Sequence, residues 1–300
     1  MKFVWQVLAL VAVFIGCQGI MSLAAGMPWL ELVGGMVACT LAVLVYRFVV
    51  GRTEHRSVTE LGGVKVGRRL ALGSLIGFGL CGVVIAAIAA LGYYRIGGFD
   101  SWTGAVGLAG VMAVAATTED LLFRGVLFRK VEEWTGTWIS IAGTSLLFGA
   151  VHLINPHATL WGALLIALTG GPLVTSAFIA TRNLWLSIGL HFSWNFALGG
   201  IFSTDVGGNT SRPGLLDSAT FGPELITGGK FGPEGSIFTL IFCALATAVF
   251  LLVAHRRGRL VPFRRSERVR VLTQLARQAA GQSDGPRPNP SGHDTYAALR

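Results

Sequence analysis

Charge is what this sequence has least of. Only 13% of its 300 residues are Asp, Glu, Lys or Arg, about half the share of a soluble domain. That shortage excludes an ordinary water-soluble fold. Acidic residues are scarcer still, 15 against 24 basic ones, for a net charge of +9. There are four cysteines, Cys17, Cys39, Cys81 and Cys243. Each lies in an apolar run with no CxxC spacing, which excludes a zinc ribbon, a dithiol redox motif and a disulfide framework, and leaves packing. The alternation of polar and apolar residues that marks a membrane barrel is missing too.

Apolar residues fill the gap: 52% of the chain is hydrophobic, with a mean hydropathy of +0.63. A helix crosses a bilayer with roughly 17–25 apolar residues. Runs near 3–21, 28–50, 70–93, 103–128, 137–154, 159–181, 184–201 and 235–255 approach or exceed that length. The expected fold is therefore all-α, a polytopic membrane bundle of about eight transmembrane helices. The 41 glycines suit it, because small residues let membrane helices approach closely. Met1-Lys2 and the apolar run up to Ala24-Ala25-Gly26 also fit a signal peptide, but a retained first helix agrees better with the bundle that follows. Basic residues gather after the second span (Arg47, Arg52, Arg56, Lys65, Arg68, Arg69), after the fourth (Arg129, Lys130) and after the last (Arg256, Arg257, Arg264, Arg265, Arg268, Arg270). If the spans alternate, these loops share one side, which the positive-inside rule assigns to the cytoplasm together with both termini. The opposite loops hold mostly acids, such as Asp100, Asp205, Asp217 and Glu224. The basic excess is thus a topology signal of a cell-membrane protein, and nucleic acid is not expected as a partner.

One membrane-embedded domain is expected over 1–258, and a basic cytoplasmic tail over 259–300. Val269, Leu272, Leu275, Ala276 and Ala279 fall on one face of a helix that would lie on the membrane lipid or stand in solvent. From about 281, Pro, Gly, Ser and Asp predict disorder. The long loop 202–234 contains an internal echo, Phe221-Gly222-Pro223-Glu224 and Phe231-Gly232-Pro233-Glu234. It reads as a pair of turns, the second leading into the last helix, or as a lid over an opening.

Ionisable groups deep in a bilayer are costly and mark function by default. Glu119 and Asp120 lie in the fourth run, His152 in the fifth and His191 in the seventh, with Asn195 one turn beyond His191 on the same face. Glu119 and His152 are nearly equidistant from the turn at Trp134-Thr135-Gly136-Thr137, roughly 22–25 Å away at helical rise. They should therefore face each other, while His191 should lie a turn or two closer to its own cytoplasmic end. Arg124 stands four residues after Asp120 and can neutralise it, leaving Glu119 free as a base. Glu119, His152 and His191 also match the donor set of a catalytic divalent metal such as zinc, though not the HExxH arrangement. Water held by the metal and water held by Glu and His alone both remain open.

The same residues form motifs. Glu119-Asp120-Leu121-Leu122-Phe123-Arg124-Gly125 resembles the EExxxRG motif of the CAAX-prenyl-protease and bacteriocin-processing family of intramembrane proteases. Phe148-Gly149-Ala150-Val151-His152 resembles its FxxxH motif, and His191-Phe192-Ser193-Trp194-Asn195 its HxxxN motif. Together they cover about 115–200, in the family's order. The resemblance implies that Glu119 activates water, that His152 helps hold it or a metal, and that His191 and Asn195 donate to the oxyanion. Asp120 and Arg124 would be structural. The family's second acid is usually Glu, and Asp120 is one methylene shorter.

The sequence thus predicts an intramembrane endopeptidase. It would act on a membrane-associated protein or a secreted prepeptide, lipidated or not. The competing functions for a buried polar cluster are a non-enzymatic scaffold or immunity protein and a proton- or ion-coupled carrier.

Overall fold

The computed structural model describes residues 2–63, 65–210 and 212–263. The chain divides into two compact units, Met1–Val261 and Pro262–Arg300. Of the second, only residues 262 and 263 are described, so the expected tail helix and terminal disorder lie outside the described residues.

The first unit is helical almost throughout. Its long elements are α1 (Lys2–Leu23), α2 (Pro28–Glu54) and α3 (Val66–Ala90). Next come α4 (Trp102–Thr135) and α5 (Thr137–Val151), the latter with a 3-10 turn at His152–Ile154. They are followed by α6 (Leu160–Leu168), α7 (Gly170–Thr181), α8 (Leu184–Phe196) and α9 (Ile237–Arg256). The starts follow from local chemistry. Pro28 occupies the first turn of α2, where a missing N–H costs nothing. Ser101, Thr159, Asn183 and Ser236 each cap the next helix by accepting from a backbone N–H.

Among the described residues seven helical stretches are long and apolar enough to cross a membrane: α1, α2, α3, α4, α5 with its 3-10 turn, α6 joined to α7, and α9. The eighth expected span, 184–201, is helical along its length, with α8 running into a π turn at Ala197–Ile201. It falls short of the others because Ser187, His191, Ser193 and Asn195 dilute its apolar residues, and all four are buried inside the bundle. The all-α expectation also missed a small sheet. Strands β1 (Tyr94–Phe99) and β2 (Leu216–Thr220) pair antiparallel, Tyr94 opposite Thr220 and Phe99 opposite Leu216. Strands so far apart in sequence pair only once the bundle has brought their ends together.

Glycines set which helices touch. A methyl group on Gly35 of α2 would stand 2.6 Å from the Gly110 carbonyl of α4. On α3, Gly73 and Gly77 meet the backbone of α8 at Leu186 and Leu190 just as closely. Backbone-to-backbone contact of this kind holds membrane helices together by dispersion. With α4 also packed on α8, Glu119 and His191 come side by side.

At the end of the bundle where Glu54 and Arg129 lie, charged groups close a clasp. Glu54 accepts from Arg129 Nη1 (2.8 Å), Arg56 Nε (2.6 Å) and Gln6 Nε2 (2.9 Å). Glu60 accepts from both Arg56 Nη atoms at 2.7–2.8 Å. The Tyr46 hydroxyl lies 2.6 Å from Glu60 Oε1 and 3.0 Å from the Gly125 carbonyl oxygen. Burial alone would raise the Glu60 carboxyl, but hydrogen bonds from Arg56 and Tyr46 outweigh it and hold the group below the ordinary carboxylate range.

Candidate active site

The site begins where α4 stops being an α-helix. Glu119 and Asp120 end its regular part, and Leu121–Phe128 is wound as a π-helix. Such stretches leave backbone carbonyls short of partners and recur at functional sites. Here the Gly125 carbonyl accepts from Arg129 Nε (2.9 Å) and faces Tyr46. Residue 125 has to be glycine, because a methyl there would sit 2.7 Å from the Tyr46 ring.

Asp120 is fully buried, and its Oδ1 accepts twice, from Arg124 Nη1 at 2.9 Å and from His191 Nδ1 at 3.2 Å. The Arg124 guanidinium, 1% exposed, is too costly to bury unless its other faces are occupied. Its Nη2 reaches the carbonyls of Gly170 and Gly171 at 3.3 and 3.4 Å, where Gly170-Gly171-Pro172 opens α7. Its plane lies over the Phe148 ring, 4.5 Å from the centroid, a desolvated cation–π contact.

His191 links the two carboxylates. With Nδ1 on Asp120, the ring turns Nε2 toward Glu119 Oε2 at 3.7 Å. The ring of His191 thus reaches Glu119, although counting places His191 a turn or two nearer its own cytoplasmic end. A π stretch takes more residues per turn than an α-helix, so it draws Glu119 toward the end of α4 and toward the level of His191. Glu119 keeps 20% of its side chain exposed, and the exposed part faces a cavity of about 660 Å³ that His152, His191, Asn195 and Glu234 also line. Asn195 makes no side-chain hydrogen bond among the described residues, so its amide is uncommitted.

His152 shares the cavity but not the cluster. Its Nδ1 lies 2.7 Å from the Phe148 carbonyl, which fixes the proton there and leaves Nε2 as the lone-pair nitrogen. Phe148 stands between the two imidazoles, 4.9 Å from one ring and 6.0 Å from the other. Glu119 and His152, expected to face each other, line the same cavity, with no hydrogen bond or ion pair between them among the described residues. No three His, Cys, Asp or Glu side chains among the described residues stand close enough to hold a metal ion. As placed, Glu119, His152 and His191 do not fit zinc.

Counting along helices missed a seventh side chain. Glu234, from the second copy of the Phe-Gly-Pro-Glu echo, enters the cavity and accepts from Trp194 Nε1 at 2.9 Å and from the Gly207 N–H. The echo itself was the available signal. Its first copy ends in the exposed Glu224, its second in this inward-facing acid.

Paired helices bring a buried charge cluster to the wall of one cavity, with Glu119 open to it. The family model described as type II CAAX prenyl endopeptidase, Rce1-like, matches residues 101–197, which carry α4 to α8 and all three motifs. That match covers about a third of the chain, and over this stretch the chain is similar to a CAAX-type intramembrane protease family. No curated protein and no solved structure matched the chain.

Proposed function

We propose that the chain is an endopeptidase whose nucleophile is a water activated by Glu119. The observation that carries this is a carboxylate open to the cavity, 3.7 Å from an oriented imidazole nitrogen, with the uncommitted Asn195 amide one turn along the same helix. Glu119 takes a proton from the water as its oxygen attacks the scissile carbonyl carbon. Asn195 Nδ2 and His191 Nε2 donate to the oxyanion that forms. Glu119 then passes the proton to the leaving amine, and the C–N bond breaks. His152 Nε2, its partner nitrogen committed to Phe148, is free to accept from the water.

Charge balance fits these roles. Glu119, Asp120 and Arg124 sum to one negative charge, which a His191 protonated on both nitrogens cancels. Only that form donates to Asp120 and to the oxyanion at once. Asp120 is then the residue that orients His191, and its shorter side chain still reaches both Arg124 and His191. The cytoplasm lies at the clasp end by the charge count, with both termini there and the protein in the cell membrane.

The test is to express the wild type and Glu119→Gln in membranes of a host lacking the gene, and to compare peptide termini of membrane and secreted proteins by mass spectrometry. Products made by the wild type alone establish the peptidase and name its substrate. Identical inventories with both proteins folded would leave the cluster a packing or partner-binding feature.

A further inference from the structure

We propose that Glu234 is a positioning residue of this hydrolytic site, holding Trp194 and the turn 206–209 together so that Asn195 and His152 face one another across the cavity. This rests on the peptidase reading above. Each carboxylate oxygen has its own donor, Oε1 the Trp194 indole and Oε2 the Gly207 N–H. Trp194 immediately precedes Asn195, and three residues later α8 gives way to its π turn. There the regular backbone bonds no longer fix the rotation of the helix, and a pinned indole does.

Gly207 is pinned from its other side by Asn155 Nδ2, which donates to its carbonyl at 2.6 Å. Gly207 and Gly208 take φ of +59° and +78°, and the turn presses on His152. A methyl on Gly207 would stand 3.0 Å from His152 Cδ2. A carboxylate just ahead of α9 could simply serve the positive end of that helix. Glu234 does not, since both its oxygens are turned to Trp194 and Gly207. Glu224, its counterpart in the echo, is exposed.

The experiment uses the full chain in membranes and the substrate found by the Glu119→Gln comparison. Glu234→Gln keeps the shape and one acceptor, but an amide nitrogen cannot accept from the second N–H. With KM unchanged, kcat should fall about tenfold in Glu234→Gln and about a hundredfold in Glu234→Ala, the scale of a small misplacement at a reacting centre. Trp194→Phe should match Glu234→Ala, and combining the two should add nothing further. The indole N–H resonance of Trp194 in nitrogen-15-labelled protein should move in Glu234→Gln. Glu224→Gln should change neither readout.

Full kcat in folded Glu234→Gln, or an unmoved Trp194 resonance, overturns the proposal while leaving the peptidase standing. If Glu234→Ala does not fold, the isosteric Gln variant decides alone. Wild-type and Glu119→Gln inventories that are identical overturn the peptidase, and the positioning role with it.

Discussion

Two charge clusters share the helix α4, and they are built to opposite rules. In the clasp, all four carboxylate oxygens of Glu54 and Glu60 have donors, from Gln6, Tyr46, Arg56 and Arg129, while the Gln6 amide Oε1 is buried without a partner among the described residues. Further in, Asp120 Oδ2 and Arg124 Nε, both atoms of the ion pair itself, are buried without a hydrogen-bond partner among the described residues. Among those residues Asn195 is uncommitted, and Glu119 has only the long contact to His191. Saturated networks rigidify a structure, whereas unsatisfied buried groups are costly and ask for an explanation. The clasp therefore holds the helices, and under the proposed function the inner cluster keeps capacity for a substrate and a water.

Substitutions should separate the two clusters. The largest effect is expected from Glu119→Gln, which should cut cleavage by about 10²–10⁴-fold and leave the unfolding temperature unchanged. A cleavage rate that survives would move the base elsewhere. Arg124→Met comes next. Removing one partner of a buried ion pair costs about 3–5 kcal/mol, so unfolding in detergent should shift by that amount, and an unshifted curve would mean Asp120 does not need its cation.

Asn195→Ala should lower kcat by about 10²–10³-fold, the usual loss for one oxyanion donor, with folding intact. A loss appearing only in KM would make Asn195 a binding group instead. The smallest effect belongs to the clasp. Glu60→Gln should lower stability by about 1–3 kcal/mol and leave kcat unaltered. Because the Glu60 carboxyl is held below its ordinary range, its contribution is present above the unfolded value of about 4.3. It is lost as pH falls through the lower folded value. Thermal stability of the wild type should thus decline below about pH 4, and that decline should be blunted in Glu60→Gln.

Much of this was legible in the sequence, for physical reasons. A bilayer forces long apolar runs, so the helices show as stretches of composition, and it makes a buried acid or imidazole stand out residue by residue. The sequence therefore pointed to Glu119, Asp120, Arg124, His152, His191 and Asn195. What it hid were relations across segments. The reach of His191 to Glu119 was hidden because the π stretch in α4 leaves no mark in hydropathy. The carbonyls of Gly170 and Gly171 become partners of Arg124 only after α4 and α7 pack. Glu234 lies in a loop, where an acid is ordinary, and only the fold turns it inward. The motif letters also acquired causes: Gly125 answers the ring of Tyr46, and Phe148 carries Arg124 on its face and keeps the two imidazoles apart.

The π winding of α4 also restricts how the chain can vary in length. Between Glu119 and the anchor at Arg129, α4 carries a residue more than an α-helix joining the same two points would use. Deleting a residue from 121–128 would let the helix relax to regular winding between those points, yet it would remove Arg124 or Gly125 or shorten one of two four-residue steps, Asp120 to Arg124 or Gly125 to Arg129, each of which carries a hydrogen bond. Away from Arg124 and Gly125 the segment can therefore exchange side chains, but it cannot lose a residue. Its ruler is the number of residues, and a shorter insert of equal greasiness would break one of those two steps.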